Sequence, residues 1–183
     1  MKISVIIAFY KNFPFLDLIL AGLQRQGYAD FEVIIAEDDH VAATLDYIKK
    51  RSAEYPFALK HVNQEEDLGF RKNEILNKAI ARSSGDFLVF LDGDCIPHKH
   101  LLKEYAALAR EGIAFYGRRV MVSESLTNRL ISTGNLRLLS LFYHVKYGSR
   151  RLEDGIYLPF FRKKRLGGSG AVIGEYYANI SWK

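Results

Sequence analysis

Leu68–Pro97 reads LGFRKNEILNKAIARSSGDFLVFLDGDCIP. Its first half carries Ile75, Leu76, Ala79 and Ile80 at helical spacing, which predicts a helix over about 70–83 with those four residues inward. Ser84 and Gly85 end that helix. Asp86–Leu91 (DFLVFL) is then a short apolar run, the pattern of a strand buried on both faces. Asp92, Gly93 and Asp94 stand at its C-terminal end, and Pro97 is expected to open another helix over about 98–110.

The same alternation runs back to the N-terminus. Ile3–Phe9, Phe31–Ala36 and Phe57–Val62 are apolar strand-like runs. Asn12 is placed to cap a helix over 13–26, with Pro14 in its first turn and Gly27 as its stop. A second helix is expected over about 41–54, with Leu45 and Ile48 inward. Strands separated by helices of this length make βαβ units, so the fold class is α/β, a Rossmann-like, mostly parallel sheet flanked by helices. Ligands of such sheets bind outside the carboxyl ends of the strands. That rule selects three loops: Phe9–Asn12, Glu37–His40 and Asp92–Cys95. Beyond 110 the pattern loosens. Ile113–Tyr116 reads as a strand leading into Arg118 and Arg119. Residues 124–147 read as helical, with Gly134 against it, and 148–170 as a basic loop ending in Gly167, Gly168, Ser169 and Gly170. The chain stops at Trp182 and Lys183 without a stop signal, so it is expected to be the N-terminal portion of a longer protein.

Composition bounds the function. With 183 residues, 49% hydrophobic and 26% charged, the chain suits one domain with a real core. Mean hydropathy is −0.08, and no apolar run reaches the roughly 20 residues of a membrane helix. The single Cys95 excludes a disulfide framework and a cysteine-based zinc site. The N-terminus lacks the features of a signal peptide, so a reducing cytoplasm is the expected compartment. A net charge of +5 favours an anionic partner. The basic run 150–165, with Tyr157, Phe160 and Phe161 among Arg150, Arg151 and Arg162–Arg165, suits peripheral contact with a membrane surface or a solvated loop. The excess is too modest, and too far from the acidic loops, for nucleic-acid binding. No Ser/His/Asp constellation, GxGxxG or phosphate-binding P-loop occurs.

Three groups of residues can carry chemistry. Asp92 and Asp94 are two carboxylates one residue apart at a strand end, suited to a hard divalent cation such as Mg²⁺ or Mn²⁺, while Gly93 lets a ligand approach the backbone. The competing reading is a solvated Asp-Gly turn. Glu37, Asp38 and Asp39 offer acceptors to a base N–H or a ribose hydroxyl, or else cap the following helix. Arg71 and Lys72, at a helix start, suit diphosphate oxygens, or else pair with Glu65, Glu66 or Asp67. His98 and His100 follow Pro97 and read more simply as side chains of a helix's first turn, and Cys95 as a small packing residue.

Taken together, SVIIAFYKN, EVIIAEDD and the block LGFRKNEILNKAIARSSGDFLVFLDGDCIP resemble glycosyltransferase family 2, with its GT-A fold, and the closing ANISW resembles it more thinly. The resemblance covers about 1–110 well. It implies that Phe9 and Tyr10 contact the nucleotide base, that Asp38 bonds the base, and that Arg71 meets the base or diphosphate. It further implies that Asp92 lies near ribose and metal, with Gly93 beside it, and that Asp94 bridges Mn²⁺ or Mg²⁺. Glu37 stands where the family has a first Asp, and Asp39 and His40 where it has Gly and Ser. The implied activity is inverting transfer of a sugar from a nucleotide-sugar to a glycan or lipid-linked acceptor, in bacterial surface polysaccharide synthesis, on the cytoplasmic side of the membrane. Residues 1–110 would be the nucleotide-sugar half and 111–183 the start of the acceptor half of one domain. The family's catalytic base lies downstream of the segment resembling Ala178–Ser181, so it is expected beyond Lys183. A haloacid-dehalogenase-like phosphohydrolase, whose motif also places two acids around one residue after a strand, and a non-catalytic nucleotide-binding module are the alternatives.

Overall fold

The computed structural model describes residues 1–112, 114, 115, 117–157, 166, 167, 172, 173 and 178–181. The chain divides into two units: Met1–Leu16 with Tyr28–Gly93, and Asp17–Gly27 with the chain from Asp94 onward.

The first unit is built on β1 (Ile3–Phe9), the first turn of α1 (Phe13–Gln24), β2 (Phe31–Glu37), α2 (Ala42–Ser52), β3 (Ala58–Asn63), α3 (Lys72–Arg82) and β4 (Phe87–Asp92). The four strands form one parallel sheet in the order β3-β2-β1-β4. β1 is central, pairing Ile3 with Phe31 on one side and Phe87 on the other. Every residue of β2 is buried, as the unbroken apolar run requires of a strand covered on both faces. Ile75 and Ala79 of α3 pack on Ile6, Ile34 and Ala36, while Ile80 faces outward at 38% exposure. On α2 the inward pair is Thr44 and Ile48, four residues apart, and Leu45 is exposed. The inward position goes to Thr44 because its hydroxyl donates to the buried Glu37 carboxylate. Asn12 caps α1 as expected, accepting from the Phe15 N–H at 3.4 Å.

The end of the sheet opposite the acidic loops holds one buried charge. Glu32, on β2, is 1% exposed. Ser4 Oγ donates to it at 2.8 Å, and the Ser84 N–H and hydroxyl each do so at 2.8 Å. The ammonium groups of Lys2 and Lys60 lie 3.1 and 3.0 Å away. Gly85 completes the arrangement, its N–H donating to Ser4 Oγ at 2.9 Å.

The second unit contains the rest of α1, β5 (Ile96–Pro97), α4 (Leu101–Leu108), β6 (Ala114–Phe115), β7 (Arg118–Met121), α5 (Glu124–Thr133), α6 (Leu141–Lys146), β8 (Leu166–Gly167), β9 (Val172–Ile173) and β10 (Ala178–Ser181). Two small sheets form, β5-β10-β7 and β6-β9-β8. Pro97 lies in β5 instead of opening a helix, and α4 begins only at Leu101. Its N-terminal turn is tied down by Gln26, whose Oε1 accepts from the Leu102 N–H at 3.0 Å and whose Nε2 donates to the His98 carbonyl at 2.9 Å. The helical reading of 124–147 breaks at Gly134, which takes the left-handed conformation (φ 62°) and closes α5. A short 3₁₀ turn, Leu136–Leu139, then leads into α6. In the region read as a basic loop, a further 3₁₀ turn, Leu152–Gly155, is anchored by Asp154. That side chain is buried and paired with Arg118 at 3.1 Å and Arg151 at 2.9 Å. Tyr116, Phe160, Phe161, Arg162–Arg165, Gly168–Gly170, Trp182 and Lys183 lie outside the described residues.

Burial opposes the charge on Glu32, but the hydrogen bonds from Ser4, Lys60 and Ser84 outweigh it and hold the carboxyl well below its ordinary value of 4.5. A depressed carboxyl stabilises the fold above its unfolded pKa, and that stability is lost as the pH falls toward the folded pKa. Glu32→Gln is therefore expected to cost about 2 kcal/mol at neutral pH. Chemical denaturation of the two proteins between pH 7 and 3 should show the gap narrowing as the solution becomes acidic, about in step with protonation of an ordinary glutamate.

Candidate active site

The parallel register sets the ends of β1, β2 and β4 in one row: Phe9 opposite Glu37, and Ala8 opposite Asp92. The three loops chosen by sequence therefore leave the sheet together. At the turn after β4, Gly93 is obligatory for a local reason. A Cβ built there would lie 2.4 Å from the Ala8 carbonyl oxygen, so no side chain fits without moving β1. The turn Asp92–Cys95 brings one carboxylate oxygen each from Asp92 and Asp94, and Cys95 Sγ, within 4.8 Å of one another.

That donor set suits a hard divalent cation. Two carboxylates are what Mg²⁺ or Mn²⁺ takes from a protein when substrate phosphates complete the shell. Cys95 adds little to it: the residue is 2% exposed, and its thiol donates to Asp94 Oδ1 at 3.4 Å and accepts from Arg119 at 3.6 Å. Asp92 also carries a cation already, because the Lys72 ammonium donates to its Oδ1. Sequence reasoning set Lys72 beside Arg71 at a helix start and missed this pairing, which depends on how α3 and β4 lie.

The three acids after β2 separate into different tasks. Glu37 is 1% exposed and spent on the fold, accepting from Thr44 and lying 2.8 Å from His61 Nε2. Asp38 is 7% exposed. Its Oδ2 accepts from the Arg71 N–H at 2.8 Å, at the start of α3, where the helix macrodipole favours a negative charge. Its Oδ1 accepts from Gln64 Nε2 at 3.2 Å, and its own N–H donates to the Phe9 carbonyl at 2.9 Å. Asp39 accepts from the His40 N–H at 2.7 Å and pairs with Lys11 at 3.2 Å. Neither aspartate caps α2, whose N-cap position is Val41 with no side-chain hydrogen bond. Gln64, fully buried, is a second residue the sequence did not single out. Its N–H bonds the Glu37 and Asp39 carbonyls at 3.2 Å, and its Oε1 accepts from Lys78 at 2.7 Å.

Lys11 gathers the remaining loops. It stands at φ 54°, an uncommon conformation for a side-chain-bearing residue. Its ammonium donates to Asp67 at 2.8 Å and to the Tyr10 hydroxyl at 3.0 Å, besides pairing with Asp39. Hydrogen bonds to Asp67, Tyr10 and Asp39 raise its pKa, so it is a permanent cation. The Tyr10 ring is half exposed and lies under this ammonium, 4.6 Å from it. Phe9, in contrast, turns its ring into the core at 2% exposure against Phe13, so it offers the loop its main chain and not its ring. The Arg71 side chain folds back on the Glu66 carbonyl and lies 3.5 Å from Glu74. In the second unit, His98 and His100 pack at tilted angles against each other and against Tyr157, at centroid distances of 5.3, 5.5 and 4.6 Å.

Comparison with known proteins agrees with this geometry. The family model "Glycosyl transferase family 2" matches residues 4–166. Validoxylamine A glucosyltransferase of Streptomyces hygroscopicus subsp. jinggangensis is 38% identical over 92 residues, 49% of this chain and 21% of that protein. Poly(ribitol-phosphate) beta-N-acetylglucosaminyltransferase TarS of Staphylococcus aureus (strain MW2) is 30% identical over 113 residues, 61% of this chain and 19% of that protein. The chain thus spans about a fifth of the length of these relatives. Among solved structures, S. aureus TarS 1–349 superposes with a TM-score of 0.55 at 26% identity, over 65% of this chain and 36% of that one. TarS 1–349 in complex with UDP-GlcNAc covers 100% of this chain and 59% of its own, with a TM-score of 0.60 at 21% identity, a likeness of fold. A mannosyltransferase from Pyrobaculum calidifontis, in complex with GDP-Man and Mn²⁺, gives 0.53 at 21% identity over 64% of this chain and 36% of that one. The acidic loops at the carboxyl ends of a parallel sheet, the GT-A architecture and the family match over 4–166 agree: the chain belongs to glycosyl transferase family 2.

Proposed function

We propose that the loops at the carboxyl ends of β1, β2 and β4 form the donor site of an inverting glycosyltransferase that uses a nucleotide-sugar. The carrying observation is the turn Asp92–Cys95, where Gly93 is pressed against β1 and two carboxylates converge. TarS and the P. calidifontis enzyme have been solved with UDP-GlcNAc and with GDP-Man and Mn²⁺, which supports a nucleotide-sugar and a divalent metal here. Family membership favours this reading over a phosphohydrolase or a purely nucleotide-binding module.

In this reading Tyr10 lies along the base and Asp38 accepts its N–H. Both Asp38 oxygens already accept one protein hydrogen bond, but each carboxylate oxygen has a second acceptor position. Phe9 contributes through its backbone, and Gly93 leaves room for the ribose. Asp92 and Asp94 would hold Mn²⁺ or Mg²⁺, which would supply neutralisation of the charge on the departing diphosphate. Arg71 and Lys72, one at each side of the α3 start, supply mobile cations to the same phosphates. Lys72 compensates the charge of Asp92. In the reaction, an acceptor hydroxyl attacks the anomeric carbon from the face opposite the diphosphate and the bond to the diphosphate breaks. The hydroxyl proton passes to a base that we place outside the residues assigned here. The acceptor we infer is a glycan or lipid-linked sugar of bacterial surface polysaccharide synthesis, reached on the cytoplasmic side. Among the described residues no helix is long and apolar enough to cross a membrane.

Calorimetry with UDP- and GDP-sugars in the presence of Mn²⁺ tests the metal assignment. Wild-type protein should bind one donor class, and Asp94→Ala should weaken it by about tenfold or more. Equal binding by both proteins, or binding by neither, would overturn the assignment. Gly93→Ala should lower stability by about 1–3 kcal/mol through overpacking on the Ala8 carbonyl. It should also weaken donor binding, and a thermal melt alongside the donor titration reads both.

A further inference from the structure

The chain's basic residues are unevenly placed along the sequence. Residues 125–152 hold five Lys and Arg and no Asp or Glu, so the remainder balances, 21 basic against 21 acidic residues. In the same stretch the second unit shows apolar side chains to solvent. On α6, Leu141 is 54% exposed, Phe142 68% and Val145 63%, while His144 on the other face is buried. Lys146 and Arg129 lie over the Tyr147 ring at 5.7 and 6.0 Å. Exposed aliphatic and aromatic side chains beside basic ones are the mixture found where a protein lies on a membrane interface.

A cavity of about 540 Å³ adjoins this element, within the size range of ligand pockets. Its wall includes Leu136, Leu139 and Ile156, its charged groups are Arg25, Lys99 and Arg137, and no Asp or Glu lies among its described lining residues. Burial pushes the pKa of the lining His98 down to about 4 and lowers that of His144, so both imidazoles are neutral at physiological pH. The cavity's charge therefore comes from the arginines and the lysine, and the occupant it suits is both apolar and anionic.

A second copy of the chain fits poorly. A two-fold contact would set this basic, acid-free stretch against itself. A bilayer with anionic headgroups supplies the apolar and the negative part at once, and stable attachment takes two such signals acting together. We propose that α6 and the adjoining cavity dock this chain onto an anionic lipid bilayer. Leu141, Phe142 and Val145 enter the acyl boundary, an acyl chain occupies the cavity, and Arg25, Lys99, Arg137 and Lys146 meet the phosphates. None of these residues is among those assigned to the donor, so donor affinity serves as the control readout.

Flotation with phosphatidylcholine vesicles, and with equimolar phosphatidylcholine and phosphatidylglycerol, tests the proposal. The chain should float only with the anionic vesicles and be released by high salt. Phe142→Ser combined with Val145→Ser should lower the bound fraction by about tenfold, and Arg137→Gln by about fivefold. Calorimetric donor affinity should be unchanged in both variants, which separates this test from that of the donor site. Should the double variant fail to fold, as judged by circular dichroism, the exposed Lys146→Gln variant carries the same comparison. Equal recovery on neutral vesicles, no binding to either, or wild-type binding by the variants would overturn the proposal. Concentration-dependent dimerisation abolished by the same substitutions would do so too, by assigning the surface to a second copy.

Discussion

The central position of β1 governs the first unit. Hydrogen-bonded in parallel to β2 and to β4, it fixes where both neighbours end. Its Ala8 carbonyl is the stop against which the turn after β4 rests, and only glycine at 93 lets that turn sit so close. A slip of one residue in either pairing would turn the buried side chains to the opposite face. It would also separate the carboxylates of Asp92 and Asp94 from the loop that carries Asp38. The site is thus a consequence of backbone register before it is one of side-chain chemistry.

Charge is buried at both ends of this sheet, with different consequences. At one end a single glutamate, Glu32, is saturated by hydroxyls, an N–H and two ammonium groups, which makes it a rigid anchor. At the other, three consecutive acids are buried side by side, and mutual repulsion would be costly unless each had its own partner. Glu37 has Thr44 and His61, Asp38 has the start of α3 and Gln64, and Asp39 has Lys11 and His40. The longer side chain of Glu37 reaches across to β3 and α2, which frees its neighbour Asp38 to face the loops. Glu37 and Asp39 are thus held by partners within the first unit.

The second unit distributes its charge by another rule. Asp154, buried under Arg118 and Arg151, braces the 3₁₀ turn from within, whereas the arginines and lysines of 125–152 that lie outside have no acids among them in sequence. A surface that is apolar and basic together is costly in water and favourable against anionic lipid. The two units thus differ in how they place charge: the first gathers carboxylates at the ends of its strands, the second sets basic and exposed apolar side chains close together in sequence.

Much of the fold could be read directly from the residues. The runs Ile3–Phe9 and Phe31–Ala36 announced buried parallel strands, because a strand covered on both faces has no polar alternation to hide; DFLVFL reads the same way, yet β4 is an edge strand with Phe90 48% exposed. Short-range signals served equally well where they act over one turn, as at Asn12 and Gly134. They misled where distant chain decided the outcome. Pro97 was drawn into a strand, and Leu45 gave up the inward position to Thr44. Tertiary structure alone brought Lys72 to Asp92, Gln64 beneath Asp38, and Lys11 onto Asp39 and Asp67. Composition and periodicity report which residues avoid water; they carry no record of which buried carboxylate meets which donor, since that depends on side chains 20 to 56 positions apart closing on one another only after the sheet has formed.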